Sequence, residues 1–269
     1  MTDPDTRSAG PAHDPTYDPA DSVVRVRDLH RSFTPTGGVL TGVDLDLRTG
    51  EVVGLLGRRG SGKSTLLRAL ARVDREVTGS GTLRLPESIA TLNDTPGLLG
   101  WRRVLDNVAN TLGSYDALSR SRRALAAVGL ADRELAWPDD LDEGERHRVA
   151  LARAIASEPE LILADEPYRH LDALAQRTLH RLLRTVGRQA AILFVTNDIH
   201  EALTLTDRVV TLHEGRIHGA LTVRSPGGEA PRGEEYADQH TFLLAELGLA
   251  STAPLPPRDR HTDPRRETA

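Results

Sequence analysis

Gly57-Arg58-Arg59-Gly60-Ser61-Gly62-Lys63-Ser64-Thr65 is the segment that decides how this chain folds. It satisfies the pattern GxxxxGK[ST] through Gly57, Gly62, Lys63 and Ser64. It follows the apolar run Val52-Val53-Gly54-Leu55-Leu56 and leads into the helix-forming LLRALARV. Strand, glycine loop and helix in that order are the setting in which the pattern binds phosphate. Glycines let the backbone curl, so that the N–H groups from Gly57 through Gly62 converge on phosphate oxygens, and the helix adds its partly positive N-terminus. Lys63 would reach the β- and γ-phosphates of a nucleotide. Ser64 would offer its hydroxyl to Mg²⁺, with Thr65 beside it. Of the 34 lysine and arginine residues, Lys63 is the one lysine. Arginine is a planar fork and cannot replace a flexible point charge in so tight a loop. The competing reading is a glycine-rich turn in a chain that binds no nucleotide. It accounts for the glycines and leaves the strand, the spacing and the lone lysine unexplained.

The chain has 269 residues, 38% hydrophobic and 27% charged, which suits one large globular domain or two small ones with a real core. No apolar run reaches the roughly 18 residues of a membrane span. MTDPDTRSAG lacks the basic start and apolar segment of a signal peptide, so a cytoplasmic location is expected. With no cysteine, disulfides and thiolate metal sites are excluded. The net charge of −5 argues against a generally basic nucleic-acid-binding surface, and no nucleic-acid partner is expected.

Residues 1–21, rich in Pro, Asp, Ala and Ser, are expected to form a disordered tail. Val23, Val24, Val26 and Leu29 begin a strand, and Gly42-Val-Asp-Leu-Asp-Leu-Arg alternates as a half-buried strand should. Thr82-Leu-Arg-Leu and Ile89-Ala-Thr-Leu are short strand candidates, and Trp101 to Leu130 reads as two or three amphipathic helices. Leu161-Ile-Leu-Ala-Asp and Ala191-Ile-Leu-Phe-Val-Thr are continuous apolar runs, the pattern of parallel strands covered on both faces. Strands alternating with helices predict an α/β domain with a mainly parallel sheet over 22–223. An extension from 224 to 269 should carry one helix, between Tyr236 and Leu249, and a frayed end.

The run Leu161-Ile-Leu-Ala-Asp-Glu-Pro ends a buried strand in two carboxylates. That places Asp165 and Glu166 at the carboxyl edge of a parallel sheet, beside the phosphate loop, where such folds bind ligands. Asp165 would hold Mg²⁺ directly or through water. Glu166 would orient or deprotonate the water that attacks the γ-phosphoryl group. Alone, Asp-Glu-Pro is equally a strand end with solvated acids; its distance after a complete phosphate loop gives it weight.

Taken together, GEVVGLLGRRGSGKSTLLRAL, LLGWRRVLDNV, ERHRVALARAIASEPELILADEPYRHLDAL and ILFVTNDIHEALTLTDRVVTLHEGRI resemble the ATP-binding subunits of ABC transporters, nearest to importers of nitrate, taurine and alkanesulfonates. The resemblance covers about 23–223. It implies a P-loop NTPase fold: a RecA-like core with N-terminal antiparallel strands and an inserted helical subdomain at about 99–157. It also implies a head-to-tail dimer closing over two ATP molecules, transmembrane permease partners moved by that closure, and a separate solute-binding protein. Phe33 matches the family's adenine-stacking aromatic; its competing reading is a core phenylalanine after the first strand. Asp172 matches the acid of the loop that crosses the dimer interface.

Three family positions differ. Where the family has LSGGQ or LSGGE, this chain has Leu141-Asp142-Glu143-Gly144-Glu145, so an anion receptor has become anionic. Two unit charges about 4 Å apart repel by roughly 4 kcal/mol at an effective dielectric of about 20, which opposes closure over ATP. Asp142 and Glu145 also have the spacing of a capping box, so the helix start is expected to survive. The glutamine expected near residue 94 is replaced by Asn93 or Asp94, depending on whether one residue is inserted before Trp101. The family's γ-phosphate histidine is replaced by Asn197, which can donate a hydrogen bond and cannot carry charge or relay a proton. His200 is expected on a helix surface instead. Two functions fit: an importer's ATP-binding subunit with weakened hydrolysis, and a nucleotide-sensing regulatory protein that binds ATP without driving transport.

Overall fold

The computed structural model describes residues 22–34, 37–74, 77–223 and 233–249. The expected tail at 1–21, and the parts of the expected 224–269 extension at 224–232 and 250–269, lie outside the described residues. Two sheets organise the chain. The first is antiparallel and three-stranded: β1 (Ser22–Thr34) lies between β2 (Gly37–Arg48) and β4 (Thr82–Arg84). The second has six strands in the order β5-β6-β7-β3-β8-β9: β5 is Ile89–Asn93, β6 Leu161–Asp165, β7 Ala191–Thr196, β3 Val52–Leu56, β8 Arg208–His213 and β9 Arg216–Thr222. Every pairing in it is parallel except β8 with β9, which are joined by a tight turn at Glu214-Gly215. That hairpin was not anticipated from the sequence, because its outer strand alternates weakly between exposed and half-buried positions.

Helix α1 (Lys63–Leu70) follows the glycine loop. Between β5 and β6 come α2 (Val104–Ala109), α3 (Ala117–Ala127) and α4 (Glu143–Ala156). Beyond β6 lie α5 (Ala173–Val186), α6 (Ile199–Leu205) and α7 (Glu234–Glu246). Alternation along the central strands builds a separate core on each face. Leu161, Leu163, Leu193 and Val195 join β1, β2 and α1 on one side, while Ile162, Ala164, Ile192 and Phe194 join α2 to α5 on the other. Because both faces are covered, β3 and β7 are buried at every residue, which is why they read as unbroken apolar runs. A smaller core seats Leu243 and Leu247, at the end of α7, on Leu56, Ala202 and Val209.

Candidate functional site

Parallel pairing brings the ends of four strands to one edge. Asn93 lies opposite Asp165, Asp165 opposite Val195, and Thr196 opposite Leu56, immediately before the glycine loop. In that loop Gly62 is the N-cap of α1 at φ 109°, a conformation L side chains avoid. A Cβ at Gly57 would stand 2.5 Å from the Leu212 carbonyl and 2.6 Å from Ser61 Oγ, so the loop can lie against β8 only as glycine. Lys63 is buried, and its ammonium donates to the carbonyls of Gly57 at 2.6 Å and Arg58 at 3.0 Å. Burial pulls the Lys63 pKa down; the Glu166 and Asp165 carboxylates oppose that, and Arg59 adds to it. Arg58, Arg59, Gly60 and Ser64 are exposed, while Ser61 and Thr65 are buried. Ser61 Oγ is buried without a hydrogen-bond partner.

Across from the loop, burial raises the Asp165 pKa first, then the nearby Glu166 and Asp94; Lys63 and Arg169 pull it down. A carboxylate crowded by two others is a site that a cation would relieve. With the Ser61 hydroxyl unpartnered and an exposed Ser64 hydroxyl nearby in the chain, the residues fit a magnesium–triphosphate group. Glu166 sits at φ 45°, in the left-handed region, and its N–H donates to the Val195 carbonyl at 3.0 Å. Such backbone strain persists only where surrounding structure fixes it, and it gathers at functional sites. The Glu166 carboxylate meets Arg169 at 3.2 Å, and the same guanidinium lies 3.8 Å from Asp94, with His170 at 4.0 Å from that carboxylate. Arg169 and His170 were not singled out from sequence; their signal was confined to the spacing of Glu166 and Arg169, three residues apart. The side chain of Phe33 lies outside the described residues.

The acid-substituted segment is a helix start. Asp142 is the N-cap of α4, accepting from the Glu145 N–H at 2.7 Å, while Glu145 accepts from the Asp142 N–H at 3.1 Å. Glu143 is exposed and lies 3.5 Å from Arg146. A Cβ at Gly144 would come within 3.1 Å of Ala175 Cβ, which holds α4 close to α5. His147, fully buried and also missed from sequence, joins this segment to the end of β5: its two ring nitrogens lie 2.9 Å from the Glu143 carbonyl and 3.0 Å from the Asp94 carbonyl. Asp172 caps α5 through the N–H groups of Leu174 and Ala175. Asn197 is exposed at the β7 edge, and the next residue, Asp198, caps α6. His200 lies on the surface of α6, edge-on to Tyr236.

Residues 40–169 match the family profile described as ABC transporter. An aliphatic sulfonates import ATP-binding protein of Nocardia farcinica is 49% identical over 86% of this chain and 97% of its own length. The chain belongs to the ABC transporter family. A protein with the same description from Streptomyces avermitilis is 48% identical to this ABC protein over 84% of the chain and 91% of its own length. Among solved structures, cbiO1 of Clostridium perfringens, part of the ABC transporter complex cbiONQ, superposes with a TM-score of 0.70 at 22% identity, covering 83% of this chain and 94% of that one. At that identity the likeness concerns the fold, and the fold is that of a P-loop NTPase. No helix among the described residues is long and apolar enough to cross a membrane.

Proposed function

We propose that this ABC protein is the ATP-binding subunit of an importer for a small sulfonate or oxyanion solute, such as an aliphatic sulfonate, taurine or nitrate, seated peripherally on the inner face of the cell membrane. The observation that carries it is the facing of Lys63 in its glycine loop by Asp165 and Glu166, which share its electrostatic environment. Lys63 and the amides of the loop would bind the phosphates of ATP; Ser64 and Asp165 would hold Mg²⁺. When bound, that ion would offset charge on the phosphoryl group being transferred. Glu166 would position the attacking water and take its proton as the bond between the β- and γ-phosphates breaks. Relatives named for aliphatic sulfonate import support the solute class. The exposed Trp101, in a loop tied down by buried Asn107 through Leu99, Arg102 and Arg103, supports a membrane permease partner for the segment. Tryptophan is enriched at interfaces, where its apolar body packs against a partner. A separate solute-binding protein would choose the cargo.

Hydrolysis by this chain alone is proposed to be weak. Asp142 and Glu143 would meet the γ-phosphate of ATP bound to a partner, and neither Asn93, Asp94 nor Asn197 supplies the family's group. In a mixed dimer, its own Lys63, Asp165 and Glu166 could face an intact partner segment. Calorimetry should show MgATP binding, while a phosphate-release assay shows slow turnover. Asp142→Ser with Glu143→Gly should raise turnover of the dimer at least about tenfold, since one charge pair is worth several kcal/mol. Rapid hydrolysis by the unmodified homodimer would reject the weakened site. Absence of any MgATP heat at millimolar ligand would reject the whole reading.

A further inference from the structure

At the opposite end of β3 from the glycine loop, Arg177, His180, Arg181, Arg184 and Arg188 line a cavity of about 640 Å³ beside Val52. From Val52 to Gly57 the strand advances about 16 Å at roughly 3.3 Å per residue, so this cavity is separate from the nucleotide site. Its four arginines repeat at helical spacing along α5 and just past its end. The helix carries no carboxylate, in a chain whose net charge is −5. The helix dipole explains Arg184, in the last turn, and leaves Arg177 and Arg181 unexplained. A solvated basic face explains the exposed guanidinium groups. It does not explain Arg184 Nε, Arg184 Nη2 and His180 Nε2, which are buried with no hydrogen-bond partner. Buried donors in native proteins are nearly always matched, by protein, ordered water or a bound ligand.

The remaining nitrogen of the fork is fixed. Arg184 Nη1 donates to Asp207 Oδ1 at 2.7 Å, and Asp207 Oδ2 accepts from the Val52 N–H at 2.8 Å. Asp207 is thereby occupied, and it holds the guanidinium with two donors beside the cavity. A planar fork with a nearby imidazole and a rim of further guanidinium groups matches the oxygens of a phosphate. We propose that this cavity binds a small multivalent phosphate-type oxyanion, with the partly buried Arg184 and His180 as inner donors and Arg177, Arg181 and Arg188 as the cationic rim. The volume suits a small metabolite. Burial and then Arg184 pull the His180 pKa down to about 4, with Asp207 opposing; a bound oxyanion would favour the imidazolium and add a charged donor.

The probe is inorganic pyrophosphate, titrated calorimetrically at low ionic strength into the full-length protein, because salt would screen the rim. The glycine loop also takes phosphates, so wild type should show two classes of site. Lys63→Ala should abolish one class. Arg181→Ala with Arg188→Ala, both exposed and away from the Arg184–Asp207 pair, should weaken the other at least about tenfold and leave MgATP affinity unchanged. Loss of all pyrophosphate binding in Lys63→Ala overturns the proposal, as does residual binding that ignores the arginine substitutions. Cosedimentation with phosphatidylglycerol vesicles that needs the same arginines and is competed by pyrophosphate assigns the phosphate to a lipid headgroup. Absence of cosedimentation, with pyrophosphate still bound, assigns it to a free ligand.

Discussion

Lys63 shows how one residue joins fold to chemistry. Its ammonium is buried against two carbonyls of its own loop, 2.6 and 3.0 Å away, and two carboxylates across the edge support its charge. An arginine in its place would keep the charge and lose the fit, since its rigid fork cannot occupy the space of a compact ammonium. Lys63→Arg should therefore lower MgATP affinity by at least about tenfold, nearly as much as Lys63→Ala, consistent with the loss of a charged hydrogen bond. Circular dichroism should show the fold unchanged, and an Arg variant that binds MgATP as wild type does would refute the geometric reading. The residues around it were legible to different degrees. Gly57, Gly62, Asp165 and Glu166 could be found because their spacing encodes a loop and a strand end. Arg169, His170 and His147 act through space on Asp94 and Glu166, and no local pattern announces such pairings.

Among the helices, the N-termini divide into two kinds. Helices α4, α5 and α6 each begin at an aspartate, Asp142, Asp172 or Asp198, whose carboxylate accepts from the helix's own first-turn N–H groups. Helix α1 begins at Gly62 with no side-chain cap, and α2, α3 and α7 also lack one. A carboxylate cap both uses the free amides and opposes an incoming anion, whereas a glycine leaves them available. An uncapped start leaves amides free at α1, where the glycine loop curls onto them, whereas at α4 the Asp142 carboxylate already uses them. Asp142→Ala should cost about 1 kcal/mol of stability, whereas Asp142→Ser should cost only a few tenths because serine caps nearly as well. Urea denaturation of both variants checks this; an equal loss in the two would mean that α4 does not depend on its cap. The capping box could be foreseen because it is encoded within four residues. The hairpin of β8 and β9 could not, because β9 lies at the sheet edge and leaves a weak alternating pattern.

The central sheet ties two distant edges into one molecule: the glycine loop leaves β3 at one end, and Val52 meets the basic cavity at the other. Titration at the second edge should be visible in global stability. His180 has a folded pKa pulled down to about 4 from 6.5, by burial first and by Arg184, with Asp207 opposing; Arg177 and Arg181 line the same cavity. Between those two values the unfolded chain takes up a proton that the folded chain refuses. His180 is therefore neutral in both states above 6.5, and its burial opposes folding progressively as pH falls through that window. Asp165 and Glu201 act in the opposite sense, because burial raises their folded pKa values and helps the folded state retain protons. The net melting curve mixes these effects, so the informative quantity is the difference between wild type and His180→Gln at each pH. Relative to the variant, wild type should lose melting temperature steadily from pH 7 to pH 5. A difference that stays flat over that range would place the His180 imidazole in contact with water, and with it would go the argument that the cavity holds a donor shielded from solvent.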